Sequence, residues 1–437
     1  MNYFLFGVGT ASHQNEGNNN NNWNDWEIKN NLERSGIACN SWTNYRDDIQ
    51  KIKEINCNAY RFSLEWSRIC PSENQVDISA IKHYNTIIEE CLINKIEPIV
   101  TLHHFTRPLW FDKKYGGLHS SFFIIKFLDY IKQLTNYLGE NIKYIITFNE
   151  PVLECLNGYI RGTRPPGYKN DFDNMFKALC NVLTAHAATY KLLKNRFSNI
   201  KISFSKNIVH FKKQYTYNIV KNYLETSLID SFNWNILNAV FTGEFSLGIN
   251  IPGIIRKFTK TSCVWKDTID FLAINHYNVG YFKINFLHKN PIDIILNNPS
   301  CHTINNILDW EVDKKSMGVI LDKIHTRYGC FPVMITENGA CGEHEEDTEG
   351  QKLILYNHLA SIVDHHTIHN NIIGYIWWTL QDNFEWDDGY APKFGLYTRV
   401  INYDGTITKK IKQSGNIYRD LVKTYNNSIN SNRYLSK

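Results

Sequence analysis

Short runs of β-branched and aromatic residues alternate along this chain with longer stretches in which apolar positions recur at helical spacing. The short runs are apolar on both faces, which is the mark of strands covered from two sides, as in a parallel sheet. They predict strands over 4–12, 58–64, 97–105, 144–150, 201–208, 270–277, 332–337 and 372–380, with helices over 47–56, 79–95, 121–139, 175–197, 317–328 and 351–366. In SAIKHYNTIIEECLINK, Ile81, Tyr84, Ile88, Cys91 and Leu92 share one side while Lys82, Glu89 and Lys95 lie on the other, so this helix covers a sheet with a single face. Eight strands separated by helices predict an α/β chain closed into one (β/α)8 TIM barrel. No Pro- or Ser-rich linker interrupts the pattern, so residues 1–437 read as a single catalytic barrel domain with extended strand-end loops. The connections over 207–263 and 278–311 are long enough to shape a cleft, and the NNNNN tract at 18–22 reads as a solvated loop.

Composition narrows the partners. A chain that is 43% hydrophobic and 14% aromatic can bury a large core and is not disordered. Its 47 basic and 43 acidic residues interleave to a net charge of +4, without the basic block of a nucleic-acid binder. No apolar run reaches the roughly 18 residues of a membrane helix, so neither nucleic acid nor membrane is expected as a partner. Ten cysteines form no CxxC pair, and no cationic residue precedes Lys29 to make a signal peptide, so reduced thiols and a cytoplasmic location are expected.

Barrel enzymes build their sites from the C-terminal ends of their strands. Reading those ends in order gives Gln14, Arg61, His104 with Phe105, Asn149 with Glu150, Asn275 with Tyr277, Glu337, and Trp378 followed by Glu385 and Trp386. Burying so many polar groups is costly unless they are used. Glu150 and Glu337 each end an apolar strand beside an Asn, and paired carboxylates facing across a cleft are the equipment for glycosidic bond cleavage. Glu65, another strand-end carboxylate, reads as structural or as an ion-pair partner. GEHEED at 342–347 and DHHTIH at 364–369 carry metal-type ligands without HExxH spacing, and read as a solvated loop and a helix end. No metal is therefore expected. With no GxGxxG or Walker loop, no cofactor is expected either.

The blocks FGVGTASHQNEG, YRFSLEWSRI, TLHHFTRPLWF, TFNEP, FLAINHYN, ITENG and WWTLQDNFEWDDGY make the chain resemble glycoside hydrolase family 1, the β-glucosidase-type retaining glycosidases. The resemblance implies that Glu150 of TFNEP is the general acid/base and Glu337 of ITENG the nucleophile, with Arg61 and Tyr277 in contact with the nucleophile. It further implies that Gln14, His104, Asn149, Glu385 and Trp386 bind sugar hydroxyls, Asn149 reaching the 2-hydroxyl, that Trp378 underlies the ring, and that Asn275 and Phe105 complete the wall. Glu385 is expected to offer acceptors only and to repel a 6-phosphorylated sugar. Thioglucoside specialists carry Gln where Glu150 stands, so an O-glycoside is expected. Two departures stand out: Phe105 where the family commonly has Trp, and His276 where it has Tyr. Strand alternation turns His276 away from the site if Tyr277 points in. The implied activity is hydrolysis of terminal β-D-glucosides, or of β-galactosides or β-fucosides, by double displacement on a small-molecule or oligosaccharide substrate. The alternatives are a transglycosidase of the same family and a non-catalytic sugar-binding protein on the same fold. The latter is usually marked by loss of one carboxylate, and both are present.

Overall fold

A computed structural model of the chain describes residues 4–137, 141–212, 219–248, 257–284, 292–295 and 307–435. Eight parallel strands close into a barrel: β1 (Leu5–Gly9), β2 (Ala59–Ser63), β3 (Glu97–Thr101), β4 (Tyr144–Asn149), β5 (Lys201–Asn207), β6 (Leu272–His276), β7 (Val333–Asn338) and β8 (Ile372–Trp378), with β8 pairing back onto β1. All eight predicted strands are present. The observed ones are mostly shorter at their C-terminal ends, where the chain leaves the ladder to build loops.

Helices α1 (Ser41–Glu54), α2 (Ile78–Ile93), α3 (Phe123–Tyr137), α4 (Phe172–Arg196), α5 (Asn235–Thr242), α6 (Ser316–Tyr328), α7 (Glu349–His369) and α8 (Gln413–Leu435) flank the strands. On α2, Asp77 caps the first turn by accepting from the amides of Ser79 and Ala80, and Ile81, Tyr84, Ile88 and Cys91 are buried as their spacing predicts. Helix α1 begins six residues before its predicted start, through the polar Ser41, Thr43 and Asn44, with a break from helical geometry at Asn44. Helices α5 and α8 were not expected from periodicity. Within the described part of α8, Tyr418 and Val422 are fully buried and Ile417, Leu421 and Tyr425 pack against the same core, and the Tyr418 hydroxyl donates to the Gly7 carbonyl at 2.8 Å.

The core has two concentric parts. Inside the barrel sit Leu5, Ala59, Ile99, Tyr144, Ile146, Phe271, Ala273, Met334 and Ile376, and a larger apolar layer lies between strands and helices. One buried polar relay crosses that layer: Thr147 on β4 donates to His186 Nδ1 on α4 at 2.7 Å, and His186 Nε2 bonds the Thr268 carbonyl at 2.8 Å. Burial pushes His186 down to about 4, so the ring is neutral and both bonds fit one tautomer. The relay fixes the strand that ends in Glu150.

The asparagine tract departs from its expected reading. Asn18 and Asn20 are exposed, but Asn19, Asn21 and Asn22 are buried. Asn21 caps the helix Asn22–Lys29, and its amide reaches His13 Nδ1 at 3.1 Å and Glu65 at 3.3 Å. Asn22 accepts from the Arg107 amide at 2.8 Å. Short amides fit where side chains must satisfy backbone groups of neighbouring loops. Glu65 is likewise structural, held without a cation by Ser12, Asn21, Ser67 and Thr106. Of the connection over 278–311, residues 285–291 and 296–306 lie outside the described residues. Among the described residues nine cysteines are free thiols, seven of them buried, and no helix is long and apolar enough to cross a membrane. Asn21→Ala should lower unfolding stability by about 1–3 kcal/mol, read from the urea midpoint. Asn20→Ala, one residue earlier on the exposed face, should change it by less than about 0.5 kcal/mol.

Candidate active site

The two glutamates reach the barrel mouth through irregularities in their own strands. On β4 the register with β5 slips between Ile146 and Asn149, and on β7 the register with β6 slips between Ile335 and Glu337. A bulge of this kind breaks strict alternation and re-aims the side chains that follow it. Glu150 then leaves β4 at φ 44°, ψ 51°, a left-handed conformation unusual for a side-chain-bearing residue. Pro151 follows at the first position of a short helix, Pro151–Cys155, and disfavours the right-handed alternative for the residue before it. That helix is pinned by Glu154, which takes an ion pair from Arg107 and a 3.0 Å contact from His103. Phe105 and Trp386 also sit at positive φ, 68° and 52°.

Glu337 Oε1 accepts from Arg61 Nη1 at 2.5 Å and Oε2 from the Tyr277 hydroxyl at 2.6 Å. Arg61 continues to the Thr336 carbonyl at 2.9 Å, to Asn149 Oδ1 at 2.7 Å and to Thr101 Oγ1 at 3.2 Å. Asn275 donates to Asn149 Oδ1 at 3.1 Å and to Glu150 Oε1 at 2.7 Å, and is itself oriented by Thr336 Oγ1 at 2.7 Å. One unbroken chain of hydrogen bonds therefore runs from Glu337 to Glu150 through Arg61, Asn149 and Asn275.

Burial pushes both carboxyl groups above the usual glutamate range. Glu150 reaches about 7, burial acting first and the charge of Glu337 second. On Glu337 burial is opposed by the guanidinium and the phenol. A cation and a charge-seeking donor on one carboxyl, against a neutral amide on the other, place the shared proton on Glu150 and the charge on Glu337.

Beside this chain lies an aromatic and polar wall. His104 stacks on Trp378 with centroids 5.8 Å apart and on Trp386 at 6.0 Å, and Phe105 meets Trp386 edge-on at 5.1 Å. Trp378 packs against Ala11, Cys341 and Phe394. Asn149 donates to His104 Nε2 at 3.1 Å, which makes Nε2 the acceptor and leaves the proton on Nδ1. Gln14 donates to Glu385 Oε2 at 3.1 Å and to the Phe384 carbonyl at 2.8 Å. His104 Nδ1 and Gln14 Oε1 are buried without a hydrogen-bond partner. A spare donor and a spare acceptor in a buried aromatic wall suit a ligand rich in hydroxyl groups.

Residues 1–427 match the family model described as Glycosyl hydrolase family 1. The chain belongs to this family. It is 28% identical to "Beta-glucosidase 20" of Arabidopsis thaliana over 483 aligned positions, covering 96% of this chain and 88% of that one. A solved β-glycosidase from Pyrococcus horikoshii superposes with a TM-score of 0.83 at 32% identity, over 97% of this chain and 94% of that one. The family 1 β-glucosidase of Thermotoga maritima gives 0.85 at 25% identity, over 97% and 98%. The protein is thus a retaining β-glycosidase of family 1, on a (β/α)8 barrel.

All the residues singled out at the strand ends of this family 1 barrel converge on one mouth. Two findings modify their reading. Glu385 is pushed up to about 8, by burial first and also by Asp388, Glu337 and Asp387, so near neutrality it carries a hydroxyl donor as well as acceptors. His276 turns outward to the Ile208 carbonyl at 2.8 Å and Ser316 Oγ at 2.7 Å, as alternation requires. Strand-end reasoning missed Lys206, buried one residue before the end of β5, with its ammonium on the Asn207 carbonyl and 4.6 Å from the Phe232 ring centroid. Among the described residues no carboxylate lies within ion-pair distance of it, but Glu150 is the charge that acts on it, and burial pushes it down to about 7. A lysine inside the strand KISFSKN was the available signal. Gly339, after Glu337 and Asn338, has no room for a side chain, since a Cβ there would stand 2.3 Å from the Trp378 carbonyl. Gly339→Ala should lower kcat/KM on a nitrophenyl β-glycoside by about 10²-fold, with the far-ultraviolet circular dichroism unchanged.

Proposed function

We propose that the protein hydrolyses terminal, non-reducing β-D-glucosyl residues of O-glycosides, with Glu337 as nucleophile and Glu150 as general acid/base. The observation that carries this is the unequal bonding of the two carboxyls: Arg61 and Tyr277 hold Glu337, a lone amide holds Glu150. An ionised Glu337 attacks the anomeric carbon while Glu150 gives its proton to the departing glycosidic oxygen. The glycosyl ester that forms has no charge at Glu337, so Glu150 no longer faces an anion and can take a proton from the incoming water. That water attacks the anomeric carbon, the ester bond breaks, and the starting protonation state returns with net retention.

Sugar recognition uses the spare groups. One N–H of Asn149 is committed to His104, and its other is free for the 2-hydroxyl, where a contact strengthens in the transition state. His104 Nδ1–H and Gln14 Oε1 serve neighbouring hydroxyls, Glu385 and Trp386 a further pair, and Trp378 lies beneath the ring with Phe105 closing the wall. Glucose as the preferred sugar is supported by the β-glucosidase relatives. An unphosphorylated sugar is supported by Asp387 and Asp388 beside Glu385, since Asp387 engages the guanidinium of Arg164 at 2.8 Å. Retention of Glu150 supports an oxygen rather than a sulfur leaving group.

A 2-fluoro-glucoside with a good leaving group should form a covalent adduct on Glu337, located by peptide mass spectrometry, and Glu337→Gln should abolish turnover. Adduct on another residue, or a fully active Glu337→Gln, would overturn the assignment. Nitrophenyl β-glucoside should be cleaved in preference to the α-anomer and to the 6-phosphate. The pH profile tests the acid. Because Glu150 must be protonated for the first step and titrates near 7, kcat/KM should fall as pH rises through that value. Lys206 when charged favours ionised Glu150 and so lowers its pKa. Lys206→Met should therefore move the alkaline limb to higher pH, and Lys206→Arg, a permanent cation, should move it to lower pH.

A further inference from the structure

At the end of the barrel opposite the carboxylates, a second group of chemistry-bearing side chains comes together. Helix α6 stops at Tyr328, and Gly329 takes φ 61°, ψ −141°, a combination that side-chain-bearing residues essentially avoid. The turn brings Cys330 back toward the last turn of α6. Helix α7 ends nearby at His369, just before β8. His325, Cys330 and His369 each offer a ligand atom, and these atoms all lie within 4.8 Å of one another. The His325 and His369 rings are 3.9 Å apart, and His365, one helical turn before His369, has its ring 4.4 Å from that of His369 and 6.0 Å from that of His325.

A separate observation points to a ligand. His325 Nδ1 and His365 Nε2 are both buried without a hydrogen-bond partner, and His365 is only 6% exposed. Buried imidazole nitrogens are normally hydrogen-bonded. An imidazole nitrogen without a hydrogen-bond partner is available to a metal ion. Both helices present their C-terminal ends, where partial negative charge favours a cation.

We infer that His325, Cys330 and His369 bind a divalent cation of the zinc class, with a water as fourth ligand. One sulfur with two imidazole nitrogens selects Zn²⁺ or Co²⁺ over Mg²⁺ and Ca²⁺, which require oxygen. Bonds of about 2.0–2.3 Å place tetrahedral ligands roughly 3.3–3.8 Å apart, a contraction that rotation of the exposed Cys330 side chain provides. On binding, the Cys330 thiol releases its proton to solvent, the imidazoles coordinate as neutral groups, and nothing is oxidised or reduced. The site joins the ends of α6 and α7 beneath β7 and β8, so its effect is on stability and not on turnover. The DHHTIH pattern alone does not reveal it, because His325 and Cys330 come from a distant part of the chain.

Purified, metal-stripped protein titrated with Zn²⁺ by calorimetry should bind one equivalent, and its thermal midpoint should rise while kcat on a nitrophenyl β-glucoside stays unchanged. Co²⁺ should give tetrahedral d–d bands and a thiolate charge-transfer band. Cys330→Ser should abolish the charge-transfer band, and His325→Ala or His369→Ala should weaken Zn²⁺ binding at least tenfold, each with unaltered kcat to show an intact fold. Absence of tight uptake, a cobalt spectrum without the sulfur band, or equal uptake by a variant combining His325→Ala, Cys330→Ser and His369→Ala would overturn the inference.

Discussion

The ion pair between Arg61 and Glu337, buried at the barrel mouth, is the constraint to which the other polar groups there conform. Taking a guanidinium and a carboxylate out of water costs several kcal/mol per ion, and the loss is offset only when every remaining donor and acceptor is engaged. The structure meets that condition closely: Arg61 also bonds Thr101, Thr336 and Asn149, and Glu337 also accepts from Tyr277. Asn149 is then held by Arg61 and Asn275, and Asn275 by Thr336, so the position of Glu150 follows from the need to satisfy a charge on another strand. Satisfying one buried charge thereby orients Glu150 as well.

The barrel supplies rigidity for this arrangement and is distorted where alternation would defeat it. A regular β4 would turn one member of the Asn149–Glu150 pair outward, and a regular β7 would turn either Thr336 or Glu337 outward. The register slips at Ile146–Asn149 and Ile335–Glu337, with the left-handed backbone of Glu150, let Asn149, Glu150 and Glu337 all serve the mouth. Such backbone is tolerated because neighbouring contacts over-determine it: Pro151 on one side, the Glu154 network on the other, and the Thr147–His186 relay behind.

The fold and the site were legible to different depths, for physical reasons. Strands covered on both faces leave continuous apolar runs, so all eight could be read, and a polar residue ending such a run is conspicuous, which is how Arg61, Asn149, Glu150, Asn275 and Glu337 emerged. Helix α8 was overlooked although Ile417, Tyr418, Leu421, Val422 and Tyr425 recur at helical spacing and pack on the core, because it lies beyond the last strand of the barrel. Asn19, Asn21 and Asn22 read as solvated because amides that satisfy neighbouring backbone look, in sequence, like amides that satisfy water. Lys206 was overlooked since a lysine near a strand end is usually at the surface. The neutral state of Glu385 could not be read at all, because it depends on burial and on the acidic neighbours that the fold assembles around it.

Lys206 completes a symmetry in the proposed mechanism. Before reaction the mouth holds one negative charge, on Glu337, and a proton on Glu150. Once the glycosyl ester forms and the aglycone leaves with that proton, Glu337 is neutral and the one negative charge has moved to Glu150. Arg61 stabilises the first location directly. On Glu150 in its second state Lys206 is the larger cationic influence and Arg61 the smaller, both acting through the low-dielectric interior. A permanently charged guanidinium suits Glu337, which must be ionised at the outset. A lysine whose burial has brought it to about 7 suits Glu150, because a stronger permanent cation would strip the proton needed for the first step. The unequal strengths of the two cations therefore match the unequal starting states of the two carboxyls.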